Sequence, residues 1–105
     1  MTTDMRAFCY DDFVTIGTSG TAQDVDTLMR LLAGDVDLTT SKLVDFALGL
    51  VDTRQGYRRI RYYLFQGDQR QRNYAALYFK RNGHTDLLED AVDEGKIDIE
   101  QAYSK

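Results

Sequence analysis

The side chains of this chain best suited to chemistry are cations set among aromatics. Between Arg54 and Asn82 stand eight of the thirteen basic residues, seven of the twelve aromatics and a single acid, Asp68, a formal charge of +7. Arginines neutralise phosphates and exposed tyrosines stack on bases, so such a stretch could bind nucleic acid. The groups that would reach a partner are Arg58, Arg59, Tyr62, Arg70, Arg72 and Arg81. A competing reading turns the same residues inward. Aromatics at helical spacing are usually core, and the rest of the chain carries −11, ample to neutralise the +7. On charge alone the inward reading weighs more. Arg61 and Arg72 fall within apolar arcs; their stems would lie along the core with the heads in water, or one would lock adjacent helices by pairing with Asp45 or Asp52.

Other constellations are weaker. Asp86, Glu89, Asp90 and Asp93 share one helix face and could hold a divalent cation, but helix-borne sites of that kind recruit histidine from several helices, and His84 is the only histidine. No calcium-loop spacing appears. The face reads as solvated or turned toward a basic partner. The segment Gly17–Thr21 before a helix could offer backbone amides to an anion, yet it lacks the lysine of a phosphate loop and reads as a hinge with a cap. Cys9 and His84 lie far apart with no base or orienting group beside either. Cys9 reads as a small buried hydrophobe and His84 as an exposed turn residue. No catalytic, cofactor-binding or metal-binding residue is assigned, no cofactor is implied, and an enzyme is the least supported class.

The elements that carry these groups follow from periodicity. The chain has 105 residues and no proline, 43% hydrophobic and 29% charged, which suits a single helical domain with one core. One cysteine excludes an internal disulfide framework, no apolar run approaches a bilayer span, and the first residues lack a secretory pattern; together these point to the cytoplasm and away from membranes. The spacing predicts a helix over 5–16, with Gly17 ending it and Gly17–Thr21 as a flexible link. Two short strands are the competing reading there. A second helix starts at a Thr21 cap with Asp24 in its first turn and runs to about Ala33, burying Val25, Leu28, Met29 and Leu32. A third runs from a Thr40 cap to about Val51, with Leu43, Phe46, Ala47 and Leu50 inward; Gly49 inside it would admit a neighbouring helix.

The basic middle divides at Gly67-Asp68 into helices at about 54–66 and 69–82, with Asp68 and Gln71 at capping-box spacing. Tyr57, Ile60 and Leu64 stripe the first; Tyr74, Leu77 and Tyr78, with Ala75, Ala76 and Phe79, make the second apolar around much of its circumference. Thr85 and Asp86 start a further amphipathic helix, with Asp86 and Glu89 at capping-box spacing and Leu87, Leu88, Ala91 and Val92 inward, and Asp98 with Gln101 opens a short last one ending near Tyr103.

The two central helices align at a step of sixteen residues: Arg54-Gln55 on Arg70-Gln71, Tyr62-Tyr63 on Tyr78-Phe79, Gly67 on Gly83. Residues 70–83, RQRNYAALYFKRNG, resemble the second helix of a HEAT-type repeat, in which an arginine precedes small residues, a bulky one and a closing glycine. The resemblance implies a stacked helical scaffold that binds other macromolecules, and assigns no catalytic residue. The fold class expected is all-α: six or seven short helices packed as antiparallel pairs, in a superhelix or an irregular bundle. The function expected is a non-catalytic scaffold that binds another protein, with nucleic acid as the alternative partner and self-association left open.

Overall fold

The structure, a computed structural model, describes residues 9–98. It is all-helical: α1 (Tyr10–Ser19), α2 (Ala22–Arg30), α3 (Leu38–Leu50), α4 (Arg54–Gln66), α5 (Gln69–Arg81) and α6 (Thr85–Asp93), with no strand among the described residues. Residues 5–8 of the first expected helix and most of the expected last helix lie outside the described residues.

The helices fall into two compact units, divided within α4 between Arg59 and Ile60. In the first unit α1, α2 and α3 pack on one another. Their core is Phe13, Val25, Leu28, Met29, Leu32, Val44, Ala47, Leu48 and Val51, all essentially excluded from solvent. Each Val, Leu, Met or Phe among them contributes about 1.5–3 kcal/mol by leaving water. All four residues expected to face inward from α2 do so. In α3 the buried face is instead Ser41, Val44, Ala47 and Leu48, and Phe46 is exposed.

Gly17 does not end α1. It lies buried inside the helix, and the left-handed terminus falls at Gly20, with φ 58°. The reason is a helix crossing: a Cβ on Gly17 would stand 2.3 Å from the Ala47 carbonyl oxygen of α3. Only a glycine allows that approach. Gly49, further along α3, is exposed. Thr53 then ties the start of α4 to the α1–α2 turn. Its hydroxyl donates to the Gly20 carbonyl at 2.5 Å and accepts from the Gly56 amide at 2.8 Å, while Gln55 Oε1 accepts from the Ala22 amide at 2.8 Å.

Helix starts are set by short polar side chains. Thr21 and Asp24 form a reciprocal box at α2, as do Asp68 and Gln71 at α5. At α3 the cap is Asp37, whose carboxylate accepts from the Thr40 amide at 2.7 Å; Thr40 is the third helical residue rather than the cap. At α6 the cap is His84 with no side-chain hydrogen bond, not Asp86. α2 ends at Arg30, with Leu31 and Leu32 in the following turn and Gly34 at φ 68°.

In the second unit α5 packs on α6. Ile60, Leu64, Ala75, Ala76, Tyr78, Phe79, Leu87, Leu88, Ala91 and Ile97 form its core. Phe79 is central: its ring meets Tyr78 edge-on at 5.1 Å and His84 edge-on at 5.7 Å. His84 is thus half-buried against an aromatic rather than an exposed turn residue. The positions matched by the sixteen-residue step differ in surroundings, since Tyr62 is 47% exposed and Tyr78 is 5% exposed.

Candidate interaction surface

The arginines of the basic stretch divide by what they touch. Arg59, on the first unit's part of α4, points at α2. Its Nε donates to Asp26 Oδ1 at 2.6 Å, and the two side chains are 37% and 24% exposed. This is the pairing of cationic middle with acidic flank that the inward reading expects. Arg72 is held more firmly. Its Nε donates to the Lys96 carbonyl at 2.7 Å and a terminal nitrogen donates to the Gly67 carbonyl at 2.7 Å. It therefore clamps the turn after α6 to the start of α5. Its partners are backbone carbonyls, not the carboxylates of Asp45 or Asp52. Such charge-assisted bonds to carbonyls left over at helix ends satisfy acceptors that the helices cannot.

The remaining candidates face outward. Arg58, Arg70 and Arg81 are exposed, and so are Arg54 and Arg61. Tyr62 is 47% exposed, its ring set edge-on against Tyr63 at 5.3 Å. The Arg61 guanidinium stands 5.8 Å over the Phe65 ring, a cation–π contact that leaves its N–H edges available. Arg70 lines a polar cleft of about 530 Å³ with Gln69, Asn73 and Asp98. Arg81 lies in the last turn of α5, where a cation complements the helix dipole.

Of the six candidate groups, Arg59 and Arg72 are half-buried and hydrogen-bonded within their own units, and Arg58, Tyr62, Arg70 and Arg81 are exposed. No family model matches the sequence, and no curated protein or solved structure matches it either.

Two features escaped the sequence reading. Tyr10 and Phe46 stack at 5.3 Å and are 57% and 38% exposed, an aromatic pair at the surface of the first unit. Apolar periodicity alone had placed Phe46 inside. Cys9 is exposed, and its amide donates to Asp12 Oδ2 at 2.9 Å where α1 begins, so it is no buried hydrophobe. The acidic residues Asp86, Glu89, Asp90 and Asp93 are all exposed on α6, and no group of three or more metal-ligating side chains forms among the described residues. No described helix is long and apolar enough to cross a membrane.

Two carboxyls at helix starts have pKa values held below the ordinary range. Burial raises the Asp24 carboxyl, but hydrogen bonds from the Thr21 amide and hydroxyl and from Ser19 outweigh it and hold it below its usual value. The Thr40 amide and hydroxyl hold Asp37 low in the same way. Both stabilise the ionised cap.

Proposed function

We propose that this protein is a non-catalytic interaction domain that binds another protein through its outward arginines and Tyr62. The observation that carries the reading is Tyr62. It stays 47% exposed on a helix where Ile60 and Leu64 are wholly buried and Tyr57, Tyr63 and Phe65 are half-buried. Exposed tyrosine beside arginine is the composition that anchors protein interfaces, because both deliver large contact area with polar edges. The HEAT-type resemblance of residues 70–83 points the same way.

Capture of partners from a lysate by the wild type and by the triple variant Arg58→Glu, Arg70→Glu, Arg81→Glu tests this. Arg59 and Arg72 are left intact because they serve the fold. The wild type is expected to retain a partner that the folded variant loses. Equal capture by both would overturn the reading.

A nucleic-acid reading is favoured by one feature, the exposed Tyr62 next in sequence to the exposed Arg61. It expects affinity for single-stranded RNA that falls steeply between about 50 and 200 mM salt. No retardation at the lower salt removes it.

A further inference from the structure

The described lining of the polar cleft of about 530 Å³ belongs to the second unit alone. Gln69, Arg70 and Asn73 reach it from the first turns of α5, and Asp98 from the segment after α6. That second wall is held in place on both sides. Arg72 binds the Lys96 carbonyl at 2.7 Å, and Ile97, next to Asp98, is buried. The walls are thus set before anything enters, which spares an occupant the entropy of ordering them.

The four side chains are polar, with one cation against one carboxylate. A polyanion would meet Asp98 and a polycation would meet Arg70, so neither suits the cleft. Gln69 and Asn73 each end in a carboxamide, which accepts at its oxygen and donates at its nitrogen. An extended peptide offers the complement: every second residue turns both its N–H and its C=O to the same edge. Gln69 and Asn73 are four residues apart on α5, a rise of about 6.0 Å. Alternate residues of an extended chain repeat at about 6.6–6.8 Å. The longer Gln69 side chain can take up the difference. Arg70, Asn73 and Asp98 also engage groups of the protein itself. A guanidinium, a carboxamide and a carboxylate each have several bonding positions, so one such contact does not fill them.

We infer that this cleft binds an extended peptide segment of the partner protein. Gln69 and Asn73 pair with the segment's main chain, while Arg70 takes an acidic side chain of it and Asp98 a basic one. The inference rests on the reading of Arg70 as a contact group and states what that group meets. Main-chain pairing supplies affinity whatever the sequence, and the two charges select the segment. Because the cleft carries both signs, binding varies little with salt, unlike attachment to nucleic acid.

A phage-displayed library of random heptapeptides, selected on the intact protein, tests it. The wild type is expected to enrich peptides that carry an acid and a base. The same peptides, made free, should bind the Gln69→Ala, Asn73→Ala chain at least about tenfold more weakly. Arg70→Asp should lose them and regain binding when their acid is changed to lysine. On the wild type, N-methylation at two alternate peptide positions should abolish binding while methylation between them is tolerated, a pattern that contacts through side chains alone would not give. The inference is overturned by absence of enrichment, by undiminished binding to the double variant, or by a scan in which every N-methyl group is tolerated. If the double variant loses helicity, the scan on the wild type decides. A cellular partner that is lost by the triple variant Arg58→Glu, Arg70→Glu, Arg81→Glu but kept undiminished by a folded Gln69→Ala, Asn73→Ala chain defeats this inference and leaves the protein-binding reading standing.

Discussion

Each unit has a core of buried side chains, but the closest contacts singled out in the two are of different kinds. In the first, helices meet where side chains are missing: Gly17 lies against the Ala47 carbonyl of α3, and Gly56 lies against the Gly20 carbonyl, where a Cβ would come within 2.3 Å in each case. In the second, helices meet through large side chains, with Phe79 wholly buried between Tyr78 and His84 and Arg72 bridging to two carbonyls. Close backbone contact tolerates no added atom. A contact built from side chains tolerates no removed one. The difference teaches which substitutions each unit should resist, and why arginines in one continuous stretch serve such different ends.

Phe79→Ala should have the largest effect, about 3–5 kcal/mol, because it deletes a fully buried ring and leaves a cavity among Tyr78 and His84. Urea denaturation checks it; a loss under about 1 kcal/mol would mean the ring is not central to its unit. Gly17→Ala is the mirror experiment. Ala47 O is backbone and cannot swing aside, so adding one methyl should cost about 3 kcal/mol even though alanine is the better helix former. A neutral or stabilised protein would refute the close crossing.

Arg72→Ala should cost about 2 kcal/mol, since both bridged carbonyls lose a charged donor. Arg72→Lys should recover little of it, because one ammonium cannot reproduce the planar fork. Full rescue by lysine would show that charge rather than geometry matters there. Asp26→Ala, which breaks the half-exposed pair with Arg59, should cost below about 1 kcal/mol.

The smallest effect is one of pH. Asp24 and Asp37 have folded pKa values held below the ordinary one of about 3.9. Their contribution is therefore complete above about pH 4 and is lost as pH falls through the lower folded values. The stability difference between wild type and Asp37→Ala should be constant from pH 5 to 7 and shrink below that range. A difference that grows on acidification would contradict the capping role.

How much of this the sequence disclosed depended on whether its cause was local. The break between α4 and α5 was legible because Gly67, Asp68 and Gln71 signal a stop and a start within a few residues. Thr21 with Asp24, and the apolar and acidic faces of α6, were legible for the same reason. Gly17 was not: a glycine that ends a helix and one that admits a crossing look alike until the crossing helix, some thirty residues on, is known. Asp37 outcompeted Thr40 as the cap of α3 although both are competent, and nothing within the segment ranks them. Among the candidate site residues, charge identified the set but not its division. Arg72 seeks the Lys96 carbonyl, and a carbonyl leaves no mark in an amino-acid sequence. Arg59 finds Asp26 across 33 positions.

The central claim is that the exposed arginines carry contact with a partner, whereas Arg59 and Arg72 are hydrogen-bonded within their own units. Thermal unfolding of the triple variant Arg58→Glu, Arg70→Glu, Arg81→Glu, measured on the same preparation used for capture, tests it most directly. The claim predicts a Tm within about 4 °C of wild type, corresponding to less than about 1 kcal/mol, together with loss of the bound partner. A Tm lowered as far as that of Arg72→Ala, or a partner retained undiminished, would contradict it.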